Sequence, residues 1–228
     1  MKKILWIVLI LFGYIGVFAQ EKTIEQAEFD AVYQNSFEKL KGKSHRIIIT
    51  TQSSVEGRPQ TDYSSKTVLE FASPTTSRTT YESSFQSVNK KTETIRIGGK
   101  TYTRKESDAW KEESPKVKSQ PGNKLTRVDN EVDNQIEYKF LGSEKLNNQS
   151  VNRYAKIAGK KLVSSANNKE TLSITTTKYW FNEDGMLLKS DMEMENRTGE
   201  MVFHTRLTQI WELDPNIKII APTLDPTK

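Results

Sequence analysis

The sequence predicts a mainly antiparallel β protein with one N-terminal α-helix, its ten or eleven strands forming a curled, partly open barrel. Three observations point there. Side-chain character alternates with period two over most of the chain after Lys43. One amphipathic stretch of helical period precedes that region. Turn-forming residues separate most of the alternating runs, in hairpin order.

The chain opens with Lys2 and Lys3, followed by an uncharged run, Ile4 to Ala19, that ends in Val17-Phe18-Ala19 before Gln20 and Glu21. This is the order of a secretory signal peptide, and cleavage is expected after Ala19. The run is short for a spanning helix, which wants about 20 apolar residues, so no stable membrane span is expected in the mature chain. Removing 19 residues from 228, and two lysines from a net charge of +5, leaves 209 residues at +3. A balance that small, with signs interspersed, is not a nucleic-acid footprint. The chain has no cysteine and two histidines. That excludes disulfides, Cys-ligated metals, a thiol nucleophile and an acylated N-terminal Cys, and no metal or other cofactor is expected. The expected compartment is a periplasm or the cell exterior, and residues 20–228 are expected to form one domain.

Thr23 with Gln26 reads as a capping box. Phe29, Val32, Tyr33, Phe37 and Leu40 then fall on one helical stripe, and Gly42 supplies a stop, predicting a helix over Ile24–Lys41. Strands follow. His45–Val55 carries Ile47 and Ile49 on one face, and Lys66–Ala72 carries Thr67, Leu69 and Phe71. Arg78–Gln86 sets Thr79, Tyr81, Ser83 and Phe85 against Arg78, Thr80, Glu82 and Ser84. Gly98-Gly99 joins Thr92–Ile97 to Lys100–Lys105 through a two-residue primed turn. A strand bearing Trp110 comes next, then Pro115–Asn134, polar and aperiodic, read as a loop or a short irregular helix. Glu137–Leu146 and Val151–Lys161 form a hairpin. Leu172–Phe181 and Met186–Glu195 flank Glu183-Asp184-Gly185. Met201–Leu213 is the last long strand.

In the last hairpin Met186, Leu188, Met192 and Met194 share one face, as do Met201, Phe203, Leu207, Trp211 and Leu213. A helix of about 18 residues is about 27 Å long. It covers ten strands only if the sheet curls around it.

At these residues the chain resembles the LolA-like periplasmic lipoprotein-carrier superfamily. The resemblance rests on Phe140-Leu141-Gly142 with Glu144 and Tyr154, on Tyr179-Trp180-Phe181-Asn182-Glu183-Asp184-Gly185, and on a final strand ending in Asp214-Pro215-Asn216-Ile217 with Ala221-Pro222. It implies a half-barrel of about eleven antiparallel strands, closed by lid helices and holding acyl chains or other apolar ligands on its concave side. The implied partner is a lipid or an acylated lipoprotein. An alternative is an envelope interaction or sensor module that contacts another envelope protein with the same fold.

The candidate ligand wall comprises Phe29, Phe37, Ile47, Ile49, Leu69, Phe71, Tyr81, Phe85, Met186, Leu188, Met192, Met194, Phe203, Leu207 and Trp211. Burial contributes about 0.8 kcal/mol per CH₂, and methionines adapt to variable ligands. The bland alternative is that the methionine stripe is ordinary core under the helix. No catalytic residue is expected. Gly98-Gly99-Lys100-Thr101 lacks the first glycine of a phosphate loop, since Thr94 stands there. His45 and His204 have no evident partner, and no Gly-x-Ser-x-Gly elbow occurs. Glu112 and Glu113 point to opposite sides of a strand. Asp129, Glu131 and Asp133 lack the glycine and final glutamate of a calcium loop. Trp110 and Trp180, at strand ends, either rim a cavity or simply pack.

Overall fold

A computed structural model describes residues 21–113, 135–163 and 170–224. The expected signal peptide, Pro115–Asn134 and the acidic residues within it lie outside the described residues.

Twelve strands form one open antiparallel sheet. They are β1 (Lys22–Ile24), β2 (His45–Val55), β3 (Tyr63–Ser73), β4 (Thr76–Phe85), β5 (Val88–Ile97), β6 (Lys100–Lys105) and β7 (Lys111–Glu113), then β8 (Gln135–Leu146), β9 (Gln149–Val163), β10 (Glu170–Asn182), β11 (Leu187–Thr198) and β12 (Met201–Leu213). The spatial order is β1-β8-β9-β10-β11-β12-β2-β3-β4-β5-β6-β7. Two meanders, β2–β7 and β8–β12, thus meet where β12 pairs with β2, and β1 closes the outer edge of β8. Among the described residues one α-helix, α1 (Gln26–Glu38), lies on one face.

The helix is shorter than the sequence predicts. Thr23 and Ile24 pair with Lys139 and Tyr138 in β1–β8, so Thr23 is not a cap. Glu25 takes the N-cap position with no side-chain cap bond. Gln26 instead donates to Asp30, 3.2 Å away. Strand β1 is the one strand the sequence reading does not anticipate. Trp110 precedes β7 rather than lying in it, and Met186 precedes β11. The Met186 N–H donates to the Asn182 side-chain oxygen at 2.8 Å, which holds the β10–β11 turn and displaces Met186 from the alternation. The Phe140-Leu141-Gly142 motif has a physical role. The register shifts between Phe140 and Gly142, and Gly142 sits at φ +87°, the left-handed backbone a bulge glycine supplies.

Helix and sheet meet through aromatic rings. Phe29, 3% exposed, inserts among Tyr138, Tyr154 and Tyr179 with ring centroids 5.1, 6.3 and 5.1 Å away. Tyr33 adds an edge contact to Tyr179 at 5.5 Å. Burial, with Tyr33 beside it, pushes the Tyr179 phenol up to about 12, so it stays neutral in the core. A second cluster, Leu40, Phe181, Met186, Leu187 and Trp211, lies under the end of the helix.

The other face is held by cross-strand charge. Arg46, Glu70 and Arg78 are directly opposed on β2, β3 and β4. Arg46 donates to Glu70 at 2.9 Å and Arg78 at 2.6 Å. Glu193–Arg206, Glu82–Lys91 and Glu93–Arg104 are also register partners joined by ion pairs. A one-residue slip would bring these charges onto the apolar face, so the pairs specify register. Burial pushes the Glu70 carboxyl up. The hydrogen bonds and charges of Arg46 and Arg78 outweigh that, and its pKa lies below the ordinary value.

The β4–β5 turn is Gln86-Ser87, with φ +48° and +64°. A left-handed non-glycine residue costs about 1–3 kcal/mol. The corresponding β5–β6 turn is Gly98-Gly99, as the sequence predicts.

Two outcomes follow from this packing. Phe29→Ala should lower the unfolding free energy by about 3–5 kcal/mol in urea titration, the cost of emptying an aromatic core site. Glu70→Gln should cost about 3 kcal/mol at neutral pH, as expected when a buried charge pair loses one partner. A carboxylate with a depressed folded pKa stabilises above its unfolded pKa, and that contribution disappears as pH falls through the folded value. The gap between variant and parent should therefore narrow below about pH 4, as read from urea midpoints across pH.

Candidate functional site

The pairing register assigns each candidate wall residue to a face. Trp211, Ile47 and Leu69 are mutual partners, as are Met192 with Leu207, and Asn196 with Phe203. Ile49, Phe71, Tyr81, Phe85 and Met194 fall on the same side by alternation, the side that carries α1. The sequence-derived wall is thus one continuous face in the sheet.

Its members divide by burial. Phe29, Met186 and Trp211 are buried in the helix–sheet core, and Ile47 and Leu188 pack against it. Ile49, Leu69, Phe71, Tyr81, Met192, Met194, Phe203 and Leu207 are half-buried. Phe37 and Phe85 are 42% and 44% exposed. Of this second group, Phe71 shares a pocket with Phe37 at the end of the helix. Between the group's members stand small hydroxyl residues: Thr67, Thr79 and Ser83, which the sequence also puts on this face, and Thr51, Ser53 and Ser65, which the sequence reading passed over. Ser53 bonds Thr205 at 3.1 Å, and the Tyr63 and Tyr81 hydroxyls share a 2.7 Å hydrogen bond. That bond holds the Tyr81 phenol below its usual range.

At the C-terminal end of α1 three candidate wall residues converge. A pocket of about 390 Å³ is lined by Phe37, Leu40, Ile47, Phe71 and Pro74 together with Glu38, Lys41, Lys43 and His45, and Lys41 is ion-paired with Glu38 at 3.3 Å. The His45 ring stacks on Phe71 with centroids 4.7 Å apart, and its Nδ1 lies 2.8 Å from the Lys43 carbonyl oxygen. The geometry is an apolar slot bordered by Lys43 and the Lys41–Glu38 ion pair. Of its lining, Pro74 was not among the sequence candidates, and Leu40 was legible only as part of the helix stripe.

The remaining sequence candidates lie elsewhere. Trp180 is buried on the face away from α1. Its indole N–H donates to Glu144 at 2.6 Å, and Lys189 covers its ring at 4.8 Å. Trp110 lies under the Arg104 guanidinium at 4.8 Å. Both pack. Glu112 pairs with Lys100 at 3.1 Å. His204 faces Glu195 at 3.8 Å on the exposed side. Among the described residues, no group of three or more His, Asp or Glu is arranged to hold a metal ion. No described helix is long and apolar enough to cross a membrane.

The distinction between core and wall has a measurable consequence. Trp211→Ala should cost about 3–5 kcal/mol, as for other buried aromatics. Leu69→Ser, at a half-buried position beyond the helix, should cost about 1 kcal/mol. Urea denaturation of the two variants checks both.

No family model matches the chain, and no curated protein matches it. Among solved structures it is similar to a LolA superfamily protein from Nitrosomonas europaea, at 8% identity and a TM-score of 0.28, covering 81% of this chain and 93% of that one. A DUF1329 family protein from Desulfovibrio piger gives 9% identity, a TM-score of 0.28, and 85% and 94% coverage. A domain from Vibrio parahaemolyticus, described as that of an outer membrane lipoprotein-sorting protein, gives 12% identity, a TM-score of 0.30, and 82% and 93% coverage. The chain is thus similar, over more than four-fifths of its length, to structures of the LolA superfamily and of lipoprotein-sorting type, in loose superposition.

Proposed function

We propose that the protein is an exported binding or carrier protein for acyl chains, in the form of a lipid or an acylated lipoprotein, taken up on the sheet face beside α1. The observation that carries this reading is the slot at the end of the helix. Its volume, about 390 Å³, falls within the range of ligand sites, and apolar side chains form its floor. The half-buried residues Leu69, Ile49 and Leu207 continue apolar surface away from it. Each buried CH₂ of an acyl chain would contribute about 0.8 kcal/mol before ordering costs are subtracted. Lys43, beside the Lys41–Glu38 pair, suits an anionic head group. The reading includes cleavage after Ala19, a periplasmic location and no catalysis. In the alternative reading, an envelope interaction module, Leu172 and Ile174, each 43% exposed on β10, mark a contact surface for another protein.

The test uses the full chain, exported by a bacterial host and analysed by native mass spectrometry. A co-purifying phospholipid or acylated species near one equivalent is expected, or, failing that, binding of added palmitate. Phe37→Asp changes a partly exposed side chain and should leave the fold intact, yet weaken palmitate binding at least tenfold. An apo mass, with no binding of palmitate or phosphatidylglycerol by a folded protein, would sink the carrier reading and leave the interaction module.

A further inference from the structure

A further hollow lies away from the helix. A cleft of about 1170 Å³ opens on the opposite face, at the end of the sheet away from Trp211. Its position follows from parity. Ile174 and Thr176 of β10, Gln52 and Ser54 of β2, and Ser84 of β4 line it, all alternating against the residues that face α1. In a flat sheet β10 and β4 would stand about 24 Å apart. Both border one cleft, so the sheet is hollowed on this side.

The lining is specific in its chemistry. The charges are engaged with one another. Arg206 bonds Glu193 at 2.7 Å, and Glu195 is held by Arg197 at 2.5 Å with His204 3.8 Å away. Among the described lining residues Arg206 is paired with Glu193, and Asp62 adds negative charge. Acidic groups outnumber arginine and lysine in this lining, which disfavours an anion. The amide and hydroxyl groups of Gln52, Ser54, Ser64, Ser84, Gln86 and Ser87 make no side-chain hydrogen bond among the described residues. They offer a dense set of neutral donors and acceptors, with Ile174 and Pro59 supplying apolar surface between them.

A second observation converges on the same place. Gln86 and Ser87 form the two-residue β4–β5 turn with both φ angles positive, where Asn-Gly or Gly-Gly is favoured. Both line the cleft. Side chains are thus kept at a strained turn, where they reach into the hollow, while the next hairpin uses Gly98-Gly99. Strain held at one rim of a polar cleft is the pattern of a binding site.

We propose that this cleft binds a neutral, polyhydroxylated ligand, an oligosaccharide segment, through hydrogen bonds from Gln52, Ser64, Ser84, Gln86 and Ser87. The site is independent of the apolar slot and lies on the other face of the sheet. Amide-detected NMR of the exported full chain, titrated with chitotetraose and with maltotetraose, tests it. At least one should shift the amides of these five residues with saturable dependence below 10 mM. The double variant Gln86→Asn, Ser87→Gly relaxes the turn. It should raise Tm by about 2–4 °C and weaken the sugar at least fivefold, a combination that a merely structural turn would not give. The proposal is overturned if neither sugar shifts these amides by 10 mM. It also falls if the turn variant binds with unchanged affinity, or if an oligogalacturonate binds the cleft more tightly than both neutral sugars.

Discussion

Twelve strands at a spacing of about 4.8 Å span roughly 50 Å, and one helix of 13 residues, about 20 Å long, is all that the described residues set against them. Most of the architecture follows from that mismatch. Where the helix lies, the sheet carries large aromatic and aliphatic side chains, Phe29 among three tyrosines and Leu40 above Trp211. Where it does not reach, the same face thins to Ser and Thr between scattered apolar residues. A wholly apolar face there would be an exposed patch of a size soluble proteins avoid. The opposite face buries Trp180, Ile95 and Tyr102 locally and obtains its register from directly paired charges, with Glu70 between two arginines as the most buried of them. Core, slot and ion-paired face are three consequences of one under-covered sheet.

Most of the fold was legible in the sequence because alternation is a local signal and hairpin turns are short. The hairpins at Gly98-Gly99, Asn147-Asn148 and Asp184-Gly185 carry residues that tolerate positive φ, and each marks its turn directly. The failures have physical reasons. Thr23 resembles a cap, but its backbone is taken by β8, a partner more than a hundred residues away that no local pattern reveals. The β4–β5 turn uses Gln and Ser, the wrong residues for its geometry, so the strand over Arg78–Gln86 ran one residue past its end. Met186 has the right parity for the apolar stripe but owes its burial to the Asn182 hydrogen bond rather than to a place in the strand.

The candidate site was legible as a face and not as a place. Alternation put Ile47, Leu69, Phe71, Met192, Leu207 and Trp211 on one side. It carried no information on how far along that side the helix extends, and this separates Trp211 in the core from Phe71 at the slot. The polar cleft left no trace in the sequence. Gln52, Ser64 and Ser84 are ordinary strand residues on a wet face, and only the curl of the sheet brings them together. One sheet therefore offers two chemically distinct hollows, an apolar slot and a polar, hydrogen-bonding cleft, on opposite faces and at opposite ends.

The central claim is that the slot at the end of α1 takes an acyl chain. Intermolecular nuclear Overhauser effects between uniformly ¹³C-labelled palmitate and the protein's side chains test it most directly. The account predicts contacts from the chain's methylenes to Phe37, Leu40, Ile47 and Phe71, with the carboxylate end beside Lys41 or Lys43. Contacts confined to the opposite face, or none to these four residues with palmitate bound, would contradict it.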